Sequence, residues 1–340
     1  QGFSGAIGYA LLAPAPIPAS AVEPSWETFG AGAVVLPLAG PDQESLWAAA
    51  DVLADALEEP HTLSAGRVGD HLTRRRTSHG PARVAVVATG TPTANPWRAL
   101  AAGEPHRDVV TLAPEGGPWQ SVWTFGGHGS AHPTMGATLY TQDAVFARHL
   151  DACLEVLAPH TRPQDRWRPG RAPAGLAQIQ RATWAVQVAM AHTLTERWGL
   201  RPDVVVGHSL GEVAAAHICG ALPLEAAAHL VSVRADLLAR LSGVGGMVTA
   251  RMGAAAAHEV TEIHPVDVAC YNSPGHIVFS GSQAALDDLG PHREDRGADP
   301  RLLEDSPPAH SRHVGPVLDE LASALRGLRP STRQLAEFVS

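Results

Sequence analysis

The sequence has no lysine; all 25 of its basic residues are arginine. Schiff-base, P-loop and catalytic-lysine chemistries are therefore closed to it. Codon usage in a G+C-rich genome accounts for the absence without any functional reason. Cysteine is scarce too: Cys153, Cys219 and Cys270 form an odd set with no CxxC spacing. That excludes a disulfide framework, leaves no cysteine-based zinc site and fits a reducing, cytoplasmic setting. The 18 histidines include no HExxH pair, so no metal site is expected. No apolar run approaches the roughly 18–20 residues of a membrane span, and no secretory signal opens the chain. A net charge of −9 without basic clusters argues against nucleic acid or a membrane as partner.

A chain of 340 residues is long enough for one large domain with a satellite, or for two to three compact units. Residues Ala13 to Pro24, rich in proline and alanine, read as an extended linker. A strand over 33–38, an amphipathic helix over 44–57, a strand over 83–89 and a helical piece near 97–102 predict a small α+β unit without a chemical constellation. Gly116-Gly117-Pro118 marks a boundary.

Beyond it the strand Val122–Phe125 runs into Gly126-Gly127-His128-Gly129-Ser130. A helix over 143–157 follows, then one over 177–198 with Ala182, Val186, Met190, Leu194 and Trp198 on one face. Asp203-Val204-Val205-Val206 reads as a buried parallel strand that ends in Gly207-His208-Ser209 and turns into a helix over 212–219. Alternating strands and helices predict an α/β core with a parallel sheet. Residues 245–305 change pattern, to strand–helix–strand–strand–helix–strand; that βαββαβ order predicts an inserted ferredoxin-like subdomain. A last helix is expected over 314–325. The chain begins with Gln1 rather than Met and stops at Phe338-Val339-Ser340, so both ends read as cut from something longer.

The strongest chemical signal is the strand–GHSLG–helix join at Gly207–Gly211. A serine hydroxyl needs a base to take its proton and donors to meet the developing oxyanion. A sharp strand-to-helix turn exposes Oγ of Ser209 and aims the N–H of Leu210 at a reacting carbonyl. The base must be a histidine, and no Asp–His pair stands out in the order of an α/β-hydrolase; Asp305 is too near His310 in sequence to settle its role. A Ser–His dyad, with its imidazole oriented by a backbone carbonyl or an asparagine, fits at least as well. Arg234 is the second signal. It shares a helix face with Leu230, Leu237, Leu238 and Leu241. Either its charge snorkels out at an edge, or its fork binds a substrate carboxylate.

Together these pieces resemble the acyltransferase domains of modular polyketide synthases and the related malonyl-CoA:acyl-carrier-protein transacylases. GHSLGE (Gly207–Glu212) matches the nucleophile motif, Gln180 the active-site glutamine, and Arg234, in LVSVRADLL, the carboxylate-binding arginine. Tyr271-Asn272-Ser273-Pro274-Gly275 matches an Asn-containing turn near the active site, and Ala309-His310-Ser311 the segment with the catalytic histidine. The resemblance implies an α/β-hydrolase-like large subdomain over 118–340, with the ferredoxin-like insertion and its C-terminal part missing. It implies a ketosynthase–acyltransferase linker domain over 25–117 and the tail of a ketosynthase over 1–24.

It further implies a ping-pong cycle. His310 deprotonates Ser209, which attacks an acyl-CoA, while the N–H groups of Leu210 and His128 hold the oxyanion. Arg234 pairs with the carboxylate of a malonyl-type unit, with His208, Asn272 and Gln180 in support. The acyl group then passes to the phosphopantetheine arm of an acyl carrier protein. No bound cofactor is implied, and the adjacent ketosynthase of the same polypeptide is a further partner.

Three positions depart from the family pattern. The proline and two glutamines of PGQGSQ are Gly126, His128 and Ala131. The tetrad that goes with extender choice, commonly YASH or HAFH, reads Pro307-Pro308-Ala309-His310 and leaves the acyl unit open. Tyr9 stands where a ketosynthase tail has its histidine, which implies a degenerate upstream ketosynthase, as in a loading or otherwise unusual module. Two other readings compete: a serine thioesterase or hydrolase built on Ser209, and a decayed acyltransferase kept as a docking scaffold.

Overall fold

The computed structural model describes residues 33–58, 64–75, 80–112, 120–289, 301–303, 306–331 and 335–339. The expectations for Tyr9, the 1–24 tail, Gly116-Gly117-Pro118 and Asp305 lie outside the described residues. The chain divides into two compact units, Gln1–Gly116 and Gly117–Ser340.

In the first unit the order is β1 (Ala33–Gly40), α1 (Gln43–Glu58), α2 (Ala65–Asp70), β2 (Ala82–Thr89), α3 (Asn95–Ala101) and β3 (Val109–Leu112). β2 alternates buried and open positions along ARVAVVAT, the period-two signature of a half-buried strand. It lies at the centre of an antiparallel sheet, β1-β2-β3. α1 buries Leu46, Ala50, Ala54 and Leu57, spaced four, four and three apart, so one helical stripe faces the core. Trp97 is fully buried in that core with Leu36 and Val86. The expected strands and the helices α1 and α3 are present; α2 and β3 were not anticipated.

The second unit runs β4 (Val122–Phe125), α4 (Ala137–Gln142), α5 (Ala144–Leu157), α6 (Gly175–Trp198), β5 (Val204–Gly207), α7 (Gly211–Ile218) and α8 (Leu224–Ala239). It continues with β6 (Gly245–Ala250), α9 (Ala254–Ile263), β7 (Val266–Ser273), β8 (His276–Ser282), α10 (Gln283–Asp288), β9 (Arg301–Leu302), α11 (Gly315–Ala324) and β10 (Glu337–Val339). β10, β5 and β4 form a parallel sheet with β5 in the middle. Its β-branched run is buried at Val205, as a strand covered on both faces requires.

The inserted segment forms its own sheet in the order β7-β8-β6-β9, antiparallel throughout. With β6, β7, β8 and β9 as first to fourth strands, that is the ferredoxin-like arrangement expected from the βαββαβ order.

One expectation is corrected. α6 was read with Ala182, Val186, Met190, Leu194 and Trp198 on one apolar face. Ala182 is buried and Val186 and Met190 are partly so, but Gln180, Arg181, Thr183, Trp184, Ala185, Val188, Ala189, Ala191 and Thr193 are buried as well, while Trp198 is exposed. The helix packs against α5, α7 and α8 together. A helix surrounded on several sides carries no single apolar stripe.

Candidate active site

β5 ends and α7 begins within five residues, and the backbone shows how. His208 N–H donates to Phe125 O on β4 at 2.9 Å, Gly211 N–H to His208 O at 2.9 Å and Glu212 N–H to Ser209 O at 3.1 Å. A Cβ on Gly207 would lie 2.3 Å from Glu212 Cα, and one on Gly211 2.0 Å from the Phe125 carbonyl oxygen. Neither position has room for a side chain. Ser209 itself sits at φ 52°, in the left-handed region that side chains avoid.

Two groups from distant parts of the chain meet at the Ser209 hydroxyl. His310 Nε2 lies 2.8 Å from Oγ. Arg234, from α8, donates from NH2 to the same oxygen at 3.0 Å and from NH1 to Gln180 Oε1 on α6. With a neutral imidazole, the serine proton points to Nε2 while its lone pair accepts from arginine.

Burial pushes the His310 pKa below the ordinary histidine value, with help from the Arg234 cation and the neighbouring His208. Burial likewise brings Arg234 down to about 10. Arg234 therefore does not snorkel; it is turned inward, its partners are neutral, and it retains capacity for an anion.

These groups line a cleft of ≈ 740 Å³. Of the residues singled out from sequence, His128, Gln180, His208, Ser209, Arg234, Asn272, Pro307, Ala309 and His310 line it. Leu210 and Pro308 do not line it and are buried. Asn272 is not the residue that orients the imidazole: its Oδ1 accepts from the Cys270 thiol at 3.3 Å. Among the described residues the His310 ring has no hydrogen-bond partner besides Ser209. Proline cannot continue the ladder of a strand, and Pro307-Pro308 leads instead into a tight turn that puts His310 at φ 55°.

Sequence reading missed Glu212, which lines the cleft and whose charge acts on both Arg234 and His310. It also missed Gln187, whose Nε2 donates to Gly126 O at 2.8 Å and so holds the glycine loop before His128. The signal was present: Gln180 and Gln187 are two helical turns apart on α6. Among the described residues no group of three His, Cys, Asp or Glu side chains could hold a metal ion, and no helix is long and apolar enough to cross a membrane.

A family model described as the acyl transferase domain matches residues 122–340. The chain belongs to the acyltransferase domains of polyketide synthases. Polyketide synthase GfsE of Streptomyces halstedii is 34% identical over 312 residues, covering 87% of this chain and 8% of that protein. A mycocerosic acid synthase-like polyketide synthase of Mycobacterium tuberculosis is 32% identical over 340 residues, covering 97% of this chain and 16% of its own length. The chain thus spans a small part of these multidomain relatives.

Among solved structures, the acyltransferase domain from module 8 of the salinomycin polyketide synthase superposes with a TM-score of 0.75 at 31% identity, over 91% of this chain and 74% of that one. The acyltransferase domain of SpnD, in complex with 2-(pent-4-yn-1-yl)malonyl, gives 0.74 at 28% identity, over 91% and 73%. This acyltransferase shares their mixed α/β fold with its parallel sheet.

Proposed function

We propose that this acyltransferase moves a malonyl-type, dicarboxylic acyl group from coenzyme A to the phosphopantetheine thiol of an acyl carrier protein, through an ester on Ser209. The observation that carries the reading is the convergence of His310 Nε2 and the Arg234 fork on Ser209 Oγ, at 2.8 and 3.0 Å. His310 takes the hydroxyl proton as Oγ bonds to the thioester carbonyl carbon. The oxyanion forms against the N–H groups of Leu210 and His128. Collapse breaks the C–S bond, and the departing thiolate takes the proton from His310. In the second half the carrier thiol gives its proton to His310 and attacks the ester carbonyl; collapse breaks the C–Oγ bond, and His310 returns the proton to Ser209.

Arg234 serves the substrate's free carboxylate in this scheme, with Gln180 fixing the fork. The SpnD complex with a malonyl derivative supports that role by likeness. His208 and Asn272 shape the wall, and Pro307, Pro308 and Ala309 set the space beside the acyl group. We read residues 25–117 as the linker domain toward an adjacent ketosynthase of the same polypeptide, and 118–340 as the acyltransferase proper.

Incubation with a panel of acyl-CoAs followed by intact-protein mass spectrometry tests this. The expected result is a dicarboxylic adduct that is absent in Ser209→Ala and discharged faster by carrier protein than by water. Monocarboxylic adducts alone would overturn the role of Arg234. Discharge to water at the same rate with or without carrier protein would make the domain a thioesterase. No adduct with any acyl-CoA would make it a scaffold.

A further inference from the structure

Among the described residues the His310 ring bonds to Ser209 alone, and the backbone turn on either side of it is held at several points. The upstream limb of that turn is closed locally. Ala309 N–H donates to Pro307 O at 2.7 Å, and the Ser311 hydroxyl donates to Pro308 O at 2.6 Å. The downstream limb is fixed from outside. Asp267, on β7 of the inserted subdomain, accepts from the Arg312 backbone N–H at 2.9 Å, from its Nε at 3.1 and 3.2 Å, and from its NH2 at 2.7 Å.

We propose that Asp267 and Arg312 form a clamp that fixes the backbone beside His310 and so helps to position the imidazole against Ser209. The inference rests on the reading of Ser209 and His310 given above.

The nucleophile belongs to the parallel sheet, through β5, whereas the clamp ties the base to the antiparallel sheet, through β7. The ion pair therefore sets the spacing between two halves of a catalytic pair carried on different sheets. Arg312 is two residues from His310, close enough that a shift of one moves the other. Ser311 adds stiffness by capping the short helix that starts at Arg312, accepting from His313 N–H at 3.3 Å. The pair is partly exposed, with the arginine side chain at 64% and the aspartate at 26%. Its contribution to global stability is accordingly small, while its forked, charge-assisted geometry is directional. Arg312 holds the Asp267 carboxyl below the usual carboxylate range, so the clamp is intact through neutral pH. The effect belongs on the turnover number rather than on folding.

The test compares Arg312→Ala and Asp267→Ala with wild type and with the conservative Arg312→Lys. The measurements are single-turnover acylation by malonyl-CoA and the NMR titration of the His310 ring. The groups facing that ring are Arg234 on α8, His208 on the nucleophile turn and Glu212 on α7; none is altered by these substitutions. The expected result is a fall in kcat of about 10- to 100-fold at unchanged KM, the range for a misplaced catalytic group. The His310 titration moves up toward its ordinary value as the ring swings outward, and Arg312→Lys recovers part of both.

Wild-type kcat with an unmoved titration in Arg312→Ala would overturn the clamp, as would a raised KM at wild-type kcat. Should that variant lose its fold, the same readouts on Arg312→Lys and Asp267→Asn decide in the same way. If wild type forms no acyl adduct while the ring titration still moves in Arg312→Ala, the positioning stands and the proposed function fails.

Discussion

Ser209 and His310 face each other at 2.8 Å with both backbones left-handed, φ 52° and 55°. No other non-glycine residue among those described adopts that conformation. Each costs about 1–2 kcal/mol relative to ordinary backbone, and such strain persists only where the surroundings over-determine it. Here the surroundings are identifiable. Gly207 and Gly211 allow the serine turn to pack against Glu212 and the Phe125 carbonyl, and Pro307-Pro308 with the Ser311 hydroxyl forces the histidine turn.

Ser209→Gly should therefore be more stable than Ser209→Ala. Both remove the hydroxyl, but only glycine relaxes at positive φ, a gain of about 1 kcal/mol that outweighs its greater freedom in the unfolded chain. Thermal or urea unfolding of the two inactive variants checks this. An alanine variant equal to or more stable than the glycine one would show that the turn stores no strain.

The serine turn was legible in the sequence because everything that shapes it is local: a Val-Val-Val strand, two glycines and a following helix lie within sixteen residues. The ferredoxin-like order was legible for the same reason, since four strands and two helices follow one another without interruption. His310 was reached only through resemblance, being 101 residues from Ser209, and nothing in its neighbourhood distinguishes it from other histidines. Asp267 and Arg312 were not legible at all. They lie 45 residues apart, and a charged pair leaves no periodic trace. α6 misled because packing against α5, α7 and α8 buries nearly its whole circumference, so tertiary context overrode the stripe.

The lowered pKa of His310 sets the acid limb of acylation. The neutral ring is the base, so the rate is lost as pH falls through that pKa, which burial and then the Arg234 charge and the nearby His208 hold below 6.5. The midpoint of the acid limb should fall below that value. In Arg234→Gln one repelling cation is gone and the midpoint should move up, yet stay below 6.5, because burial is the larger cause. Single-turnover acylation across pH measures both. A midpoint that drops in the variant contradicts the assignment.

Arg234 should also select the substrate. Its fork is partly buried and its hydrogen-bond partners, Ser209 Oγ and Gln180, are neutral, so an incoming carboxylate would add a bonded counter-charge to the more distant field of Glu212. Removing one partner of such a pair costs about 2–5 kcal/mol. Arg234→Gln should then lose about 30- to 5,000-fold in kcat/KM for malonyl-CoA. It should retain or gain activity with acetyl-CoA, whose methyl group demands no charge. Parallel losses for both donors would place the arginine in the chemical step instead of in recognition.

Three histidines away from the cleft should make the acyltransferase unit acid-sensitive. His149 on α5, His192 on α6 and His217 on α7 lie in a row, with ring centroids 5.1 and 5.2 Å apart. His217 Nδ1 lies 2.9 Å from Leu222 O, and its Nε2 lies 2.9 Å from His192 Nε2. With Nδ1–H donating to the carbonyl, His217 accepts from His192, an arrangement that requires the His217 ring to be neutral and is broken when both rings are protonated. Burial, reinforced by the other two histidines, lowers His192 to about 4, and burial also lowers His217. The folded chain thus binds fewer protons than the unfolded chain between about 4 and 6.5. Stability is complete above 6.5 and falls as pH drops through that window. Allowing for partial exposure, His192 accounts for on the order of 2 kcal/mol of that loss. Urea unfolding at a series of pH values between 7 and 4.5 should show the decline, and His192→Asn, which keeps a donor for His217 but cannot titrate, should flatten it. A wild-type stability that holds level over that range would mean that the row tolerates protonation in place.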